Sequence, residues 1–148
     1  MTKVIVADDD DHIRTLLGTI LGDRKGLEVI LCSDGKELVE KVKEINGEVS
    51  MVLTDNNMPY MDGVDAAGIL RHNLGYNFPI WLMTGRYTRD ENEVIHIEKE
   101  VKLKGDRAGI TGYLAKPFSL TEISAIIDSL QPSQEDSNAN PQKQYSGD

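Results

Sequence analysis

A single cysteine stands among the 148 residues, so no internal disulfide can cross-link the chain. Cys32 lies within the apolar run "LEVILC", where a buried, reduced thiol is expected. Long apolar runs are missing as well: none approaches the roughly 20 residues that a membrane span requires. The N-terminus carries no signal-peptide pattern, and the expectation is a soluble cytoplasmic protein. Positive charge is scarce, with 16 Lys and Arg against 25 Asp and Glu and a net charge of −9. That balance argues against a general nucleic-acid surface, which needs a basic face, but leaves room for a local basic patch. His12, His72 and His96 share no metal-ligand spacing, and no internal repeat of independent modules is present. What remains is an ordinary soluble composition, 28% charged and 39% hydrophobic, at a length suited to one domain with a real core.

Short apolar runs alternate with segments of helical period. "KVIVA" is followed by Ile13, Leu16, Leu17, Ile20 and Leu21 at helical spacing, and "LEVILC" by Leu38, Val39, Val42 and Ile45. "SMVLT", "FPIWLMT" and "YLA" supply three more strands, with helices predicted over Val64 to Leu74 and in "SLTEISAIIDSL". Strands that are apolar throughout, separated by amphipathic helices, predict a doubly wound α/β domain around a parallel sheet covered on both faces. This domain is expected to span residues 1–130. Residues 131–148, "QPSQEDSNANPQKQYSGD", have almost no aliphatic side chains and are read as a disordered tail or linker.

In such a sheet the ligand crevice lies beyond the carboxyl ends of the strands. Polar residues stand at those ends. The first strand runs into "DDDD", Asp8 to Asp11, and the third into Asp55 of "LTDNNMP"; the fourth ends at Thr84 and the fifth reaches Lys116. Neighbouring carboxylates bind a hard divalent cation such as Mg2+, which offsets their mutual repulsion and takes up phosphate oxygens. A lysine ammonium and a threonine hydroxyl suit further phosphoryl oxygens, and one carboxylate can serve as nucleophile. Asp10 and Asp11 are read instead as capping or first-turn residues of the helix that follows, and Asp62 as a turn residue before Gly63.

With an acidic pair after strand one, "DxxMPxMDG" after strand three, Thr84 after strand four and "YxxKPF" at strand five, the chain from Thr2 to Leu130 resembles the receiver domain of two-component response regulators, of the chemotaxis-receiver kind. The resemblance implies a flavodoxin-like sheet of strand order 2-1-3-4-5. It implies that Asp55 is phosphorylated by a partner histidine kinase or phosphotransfer protein. Asp9, Asp55 and the backbone carbonyl of Asn57 would bind Mg2+, with Asp8 acting largely through water, while Thr84 and Lys116 would hold phosphoryl oxygens. Tyr113 matches the aromatic switch position, and the bond before Pro117 is expected to be cis. Phosphorylation would then bias a surface of the fourth helix, fifth strand and fifth helix toward a downstream protein partner. The chain would catalyse its own modification only, with no separate substrate, and neither nucleic acid nor membrane is expected as a direct partner. Three other readings compete: a haloacid-dehalogenase-like phosphatase using Asp8 or Asp9 as nucleophile, a flavodoxin-like cofactor protein, whose phosphate the four aspartates would repel, and a degenerate receiver acting only as a docking domain, against which all five key side chains stand.

Between Thr84 and Lys116 the chain runs longer than receivers usually do, by about ten residues or nearly three helical turns. Thr88 and Glu91 fit a capping box, and Val94, Ile97 and Val101 fall on one helical stripe. A lengthened fourth helix, or a long loop preceding it, is therefore predicted, with Gly105 or Gly109 as its stop. The added residues are expected to change partner choice without removing phosphorylation. Arg86, close behind Thr84, is a candidate for contacting the phosphoryl group.

Overall fold

The computed structural model describes residues 1–130; the tail predicted over 131–148 lies outside them. Five strands form one parallel sheet: β1 (Thr2–Ala7), β2 (Leu27–Cys32), β3 (Met51–Asp55), β4 (Ile80–Thr84) and β7 (Gly112–Ala115), in the order β2-β1-β3-β4-β7. This is the expected doubly wound order, with two short strands intervening in sequence before the last. The helices are α1 (Asp11–Gly22), α2 (Gly35–Glu44), α3 (Gly63–Gly68), α4 (Lys99–Ala108) and α5 (Leu120–Leu130). Residues up to Pro117 form one unit, and the described residues 118–130 belong to a second. Within the latter, α5 opens on a capping box in which Ser119 Oγ accepts from Glu122 N and Glu122 Oε1 accepts from Ser119 N.

Both faces of the sheet are buried, which is why the centres of β1 and β3, Val4 to Ala7 and Met51 to Leu53, are apolar without alternation. Ile5, Ala7, Val52, Ile80 and Leu82 share a core with Leu38 and Val42 of α2 and Ala66 and Ala67 of α3. Side chains alternate across a strand, so Val6 and Leu53 point the other way, in register with Leu31. Gly18 of α1 lies against Leu31, and this places α1 on that second face. Cys32 is buried at the end of β2 and its thiol is pushed up to about 12, chiefly by burial. Alkylation of the folded protein at pH 8 should therefore be about a thousandfold slower than that of the unfolded chain, as thiolate fraction dictates; comparable rates in the two states would show the thiol to be open.

Capping explains where helices start. Asp10 is the N-cap of α1, its carboxylate accepting from His12 N at 2.8 Å and Ile13 N at 3.3 Å, and Asp11 follows in the first turn, paired with Arg14. Asp62 proves to be the N-cap of α3, accepting from Asp65 N at 2.7 Å. The helix predicted to Leu74 begins as expected but widens into a π-helical turn, Ile69–Asn73, closed by Leu74 N donating to Ile69 O at 3.0 Å.

The long connection after β4 departs from the helical alternative. It folds into an antiparallel hairpin, β5 (Tyr87–Arg89) with β6 (Ile95–Ile97), and α4 starts only at Lys99. Thr88 pairs with His96 instead of capping a helix. The Asp90 carboxylate accepts from Asn92 N at 2.8 Å and Val94 N at 3.0 Å, and Glu93 takes a left-handed φ of 64°, which closes the turn. Turn chemistry at Asp90 and the two-residue alternation Ile95–His96–Ile97 thus prevail over the capping-box pattern. Of the rival stops Gly109 is the real one, left-handed at φ 91°.

Candidate functional site

The register of the sheet assembles the site. Asp55 ends β3 opposite Met83, Thr84 ends β4 opposite Ala115, and Asp8 and Lys116 each follow their strand by one residue. Main-chain bonds continue the ladder there: Asp8 N donates to Cys32 O at 3.0 Å and Lys116 N to Thr84 O at 2.8 Å. Asp8, Asp9 and Asp55 each offer a carboxylate oxygen, and these oxygens lie within 4.8 Å of one another. Lys116 faces two of them, with Nζ 3.5 Å from Asp8 Oδ2 and 3.4 Å from Asp55 Oδ1. Asp8 and Asp55 are buried and Asp9 is exposed.

Such crowding leaves a mark on the chemistry. Burial raises the Asp8 carboxyl above its ordinary range, only partly offset by the Asp10 N–H and Lys116. Burial raises Asp55 too, with Lys116 opposing and Asp8 adding to the rise. Asp8 Oδ1 accepts from Asp10 N at 2.9 Å, whereas Oδ2, among the described residues, is a fully buried oxygen with no hydrogen bond. A buried carboxylate oxygen that makes no hydrogen bond and meets only the Lys116 ammonium, beside two further carboxylates, is a donor set suited to a hard cation, and the residues fit Mg2+.

The loops around the cluster are held closely. Arg14 Nη1 donates to Asp8 O at 2.7 Å, so the same guanidinium that neutralises Asp11 also fixes the acidic loop. After β3, Gly35 N donates to Met61 O at 3.0 Å, and Met61 N to Pro59 O at 2.7 Å across Tyr60, whose φ is 68°. That is a γ-turn of the rarer, strained hand. Asn57, two residues past Asp55, sits in this loop and borders a cleft between α3 and α4 of about 930 Å³. Gly63 packs so closely that a Cβ there would stand 2.2 Å from Asp55 O.

Thr84 is buried, and its Oγ1 accepts from Arg86 N at 3.0 Å. Tyr113, on β7, lies against α4 at Gly105. Its hydroxyl is shared between Asp106 Oδ1 at 2.8 Å and Lys102 O at 3.0 Å, and burial with the Asp106 charge raises its pKa. The Lys116–Pro117 bond is cis. The structure thus gathers Asp8, Asp9, Asp55 and Lys116 at one point and stands Thr84 at the end of the adjoining strand, with Tyr113 of β7 packed against α4. Arg86 is otherwise engaged: its guanidinium pairs with Glu98, through Nε at 3.0 Å and through Nη2, and lies 3.9 Å from Glu100. Sequence reasoning did not single out Arg14 or Glu98. Arg14 follows Asp11 at the i, i+3 spacing of a helical ion pair and was legible to that extent.

Residues 4–128 match the family described as "Response regulator receiver domain". The chain is 30% identical over 128 residues to the alkaline phosphatase synthesis transcriptional regulatory protein PhoP of Bacillus subtilis, covering 86% of this chain and 48% of that protein. It is 28% identical over 127 residues to the regulatory protein AtoC of Escherichia coli, covering 86% of this chain and 24% of that one. The chain therefore spans about half, or less, of the length of these curated relatives. Among solved structures, the chemotaxis protein CheY4 of Vibrio cholerae superposes with a TM-score of 0.72 at 29% identity, covering 88% of this chain and 99% of the other. No helix among the described residues is long and apolar enough to cross a membrane.

Proposed function

Because the chain belongs to the response regulator receiver domains of two-component systems, we propose that Asp55 is its phosphoacceptor, modified by a histidine kinase or phosphotransfer protein in the cytoplasm. The observation that carries this reading is the Lys116 ammonium set between Asp8 and Asp55 at the edge of a three-carboxylate cluster. Asp8, Asp9, Asp55 and the carbonyl of Asn57 would hold a Mg2+ ion, which when bound supplies positive charge to phosphoryl oxygens. An Asp55 carboxylate oxygen attacks the donor phosphorus; the bond from phosphorus to the donor histidine nitrogen breaks, and its electron pair leaves with the imidazole. Lys116, released from sharing two carboxylates, pairs with an oxygen of the new acyl phosphate. Thr84 donates its hydroxyl proton to another. Modification takes the Asp55 side chain from one negative charge to nearly two, and this is the change the switch reads.

Tyr113 and α4 would respond to this change, a reading supported by the bonds that Tyr113 Oη makes to α4. Residues 1–130 would serve as the receiver, acting on no substrate besides itself and passing the signal to a downstream protein. Incubation with acetyl phosphate tests the site without the kinase. The expected result is incorporation that depends on Mg2+ and disappears in Asp55→Asn. Undiminished labelling of Asp55→Asn would favour a phosphatase of the haloacid-dehalogenase kind, with its acyl phosphate on Asp8 or Asp9.

A further inference from the structure

We propose that Glu98, where β6 meets α4, is a positioning residue for Thr84, acting through Arg86, so that the hairpin governs how readily the site switches. This rests on the reading of Asp55 as phosphoacceptor. Three contacts converge on Arg86. Its main-chain N–H donates to Thr84 Oγ1 at 3.0 Å, and its carbonyl accepts from Glu98 N at 2.9 Å. Its guanidinium is bound by the Glu98 carboxylate, with Glu100 at 3.9 Å. Arg86 is therefore fixed at both main chain and side chain to the strand that leads into α4.

Thr84 cannot turn toward a phosphoryl oxygen on Asp55 without either breaking the bond from Arg86 N or drawing Arg86 along. The bond joins a buried Thr84 to an exposed Arg86, so breaking it costs the modest net worth of one part-buried hydrogen bond. The clasp on Arg86 opposes the second route, because its movement must carry Glu98 and the first turn of α4. Glu98 lacks a side-chain bond to the free N–H groups of that turn, so its carboxylate serves Arg86 rather than the helix end. The hairpin thus acts as ballast on Thr84: it holds the unmodified orientation and hands any displacement directly to α4.

Beryllofluoride, a phosphoryl mimic that adds to a carboxylate oxygen, supplies the test when titrated with Mg2+ into the full chain. Hydrogen exchange across residues 84–100 and the fluorescence of Trp81 serve as readouts. Glu98→Ala should lower the half-saturating beryllofluoride concentration roughly fivefold, in the range of couplings between contacting residues. Arg86→Glu should do the same, and the exchanged pair Arg86→Glu with Glu98→Arg should return to the wild-type value. A role confined to stability would show in the melting temperature and leave the half-saturating concentration unmoved. Wild-type affinity in Glu98→Ala, or failure of the exchanged pair to restore it, overturns the clasp while leaving Asp55 as acceptor. If Asp55→Asn responds to beryllofluoride as the wild type does, the acceptor reading fails and this inference fails with it.

Discussion

Replacing Lys116 with methionine is expected to lower the stability of the metal-free protein by about 3 kcal/mol, the usual scale for removing one partner of a buried ion pair. For a domain of this size that corresponds to a fall of roughly 10 °C in Tm. The cause is electrostatic: Lys116 is the ammonium between Asp8 and Asp55, and both carboxylates are shielded from water. Burial already raises both groups above their ordinary value of 3.8. A carboxyl raised in the folded state contributes most stability below its unfolded value and loses that contribution as the pH climbs through the raised one. The metal-free site is therefore least favourable at neutral pH, and removing Lys116 makes it worse. The Mg2+ ion proposed for the cluster would bind only the folded state and should recover most of the loss by mass action. Thermal melts at pH 7 with and without Mg2+ decide the matter: an equal fall in both conditions would contradict the role given to the carboxylates.

Gly63→Ala is expected to be the more damaging change, destabilising by more than about 4 kcal/mol or preventing folding altogether, as overpacking against fixed backbone can. The added methyl would stand 2.2 Å from Asp55 O and 3.1 Å from both Leu82 Cδ1 and Thr54 Oγ1. Asp55 O cannot yield, because it belongs to the end of a central strand and accepts from Thr54 Oγ1 at 2.8 Å. Any molecules that fold must displace the Asp55 main chain, so acetyl-phosphate labelling should fall together with stability. Gly68 provides the contrast. It lies in α3 with nothing within 4 Å of the place a methyl would take, and Gly68→Ala should be neutral or stabilising by up to about 1 kcal/mol from helix propensity alone. Chemical denaturation of the pair measures both effects, and similar losses would show that close approach at Gly63 is not what matters.

Much of this site is legible in the sequence. Asp8, Asp55, Thr84 and Lys116 lie far apart along the chain, yet parallel strands deliver their carboxyl ends to one edge, so topology alone brings them together. The cap at Asp10 is legible for a local reason, since it accepts from N–H groups two and three residues on, whereas Asp62, expected in a turn, caps α3 by accepting from the N–H three residues on. The hairpin is not. Its strands are three residues each, too short for periodicity to outweigh a run of charged residues that also suits a helix. Its turn is set by the Asp90 side chain and by Glu93 in a left-handed conformation that glutamate seldom adopts. Nor does anything in the spacing of Arg86 and Glu98 announce their pairing, since the hairpin must form before they meet. The π-helical turn at Ile69–Asn73 likewise has no sequence signal that distinguishes it from the helix it continues.

The most direct measurement is the position of the acyl phosphate itself. Protein labelled with acetyl phosphate and Mg2+ is reduced with tritiated borohydride, which converts a phosphorylated aspartyl group to homoserine and leaves free carboxylates untouched, and the peptides are then sequenced. The expected result is tritium at Asp55 alone. Tritium at Asp8 or Asp9, or none at all under conditions where Mg2+ binds, would contradict it.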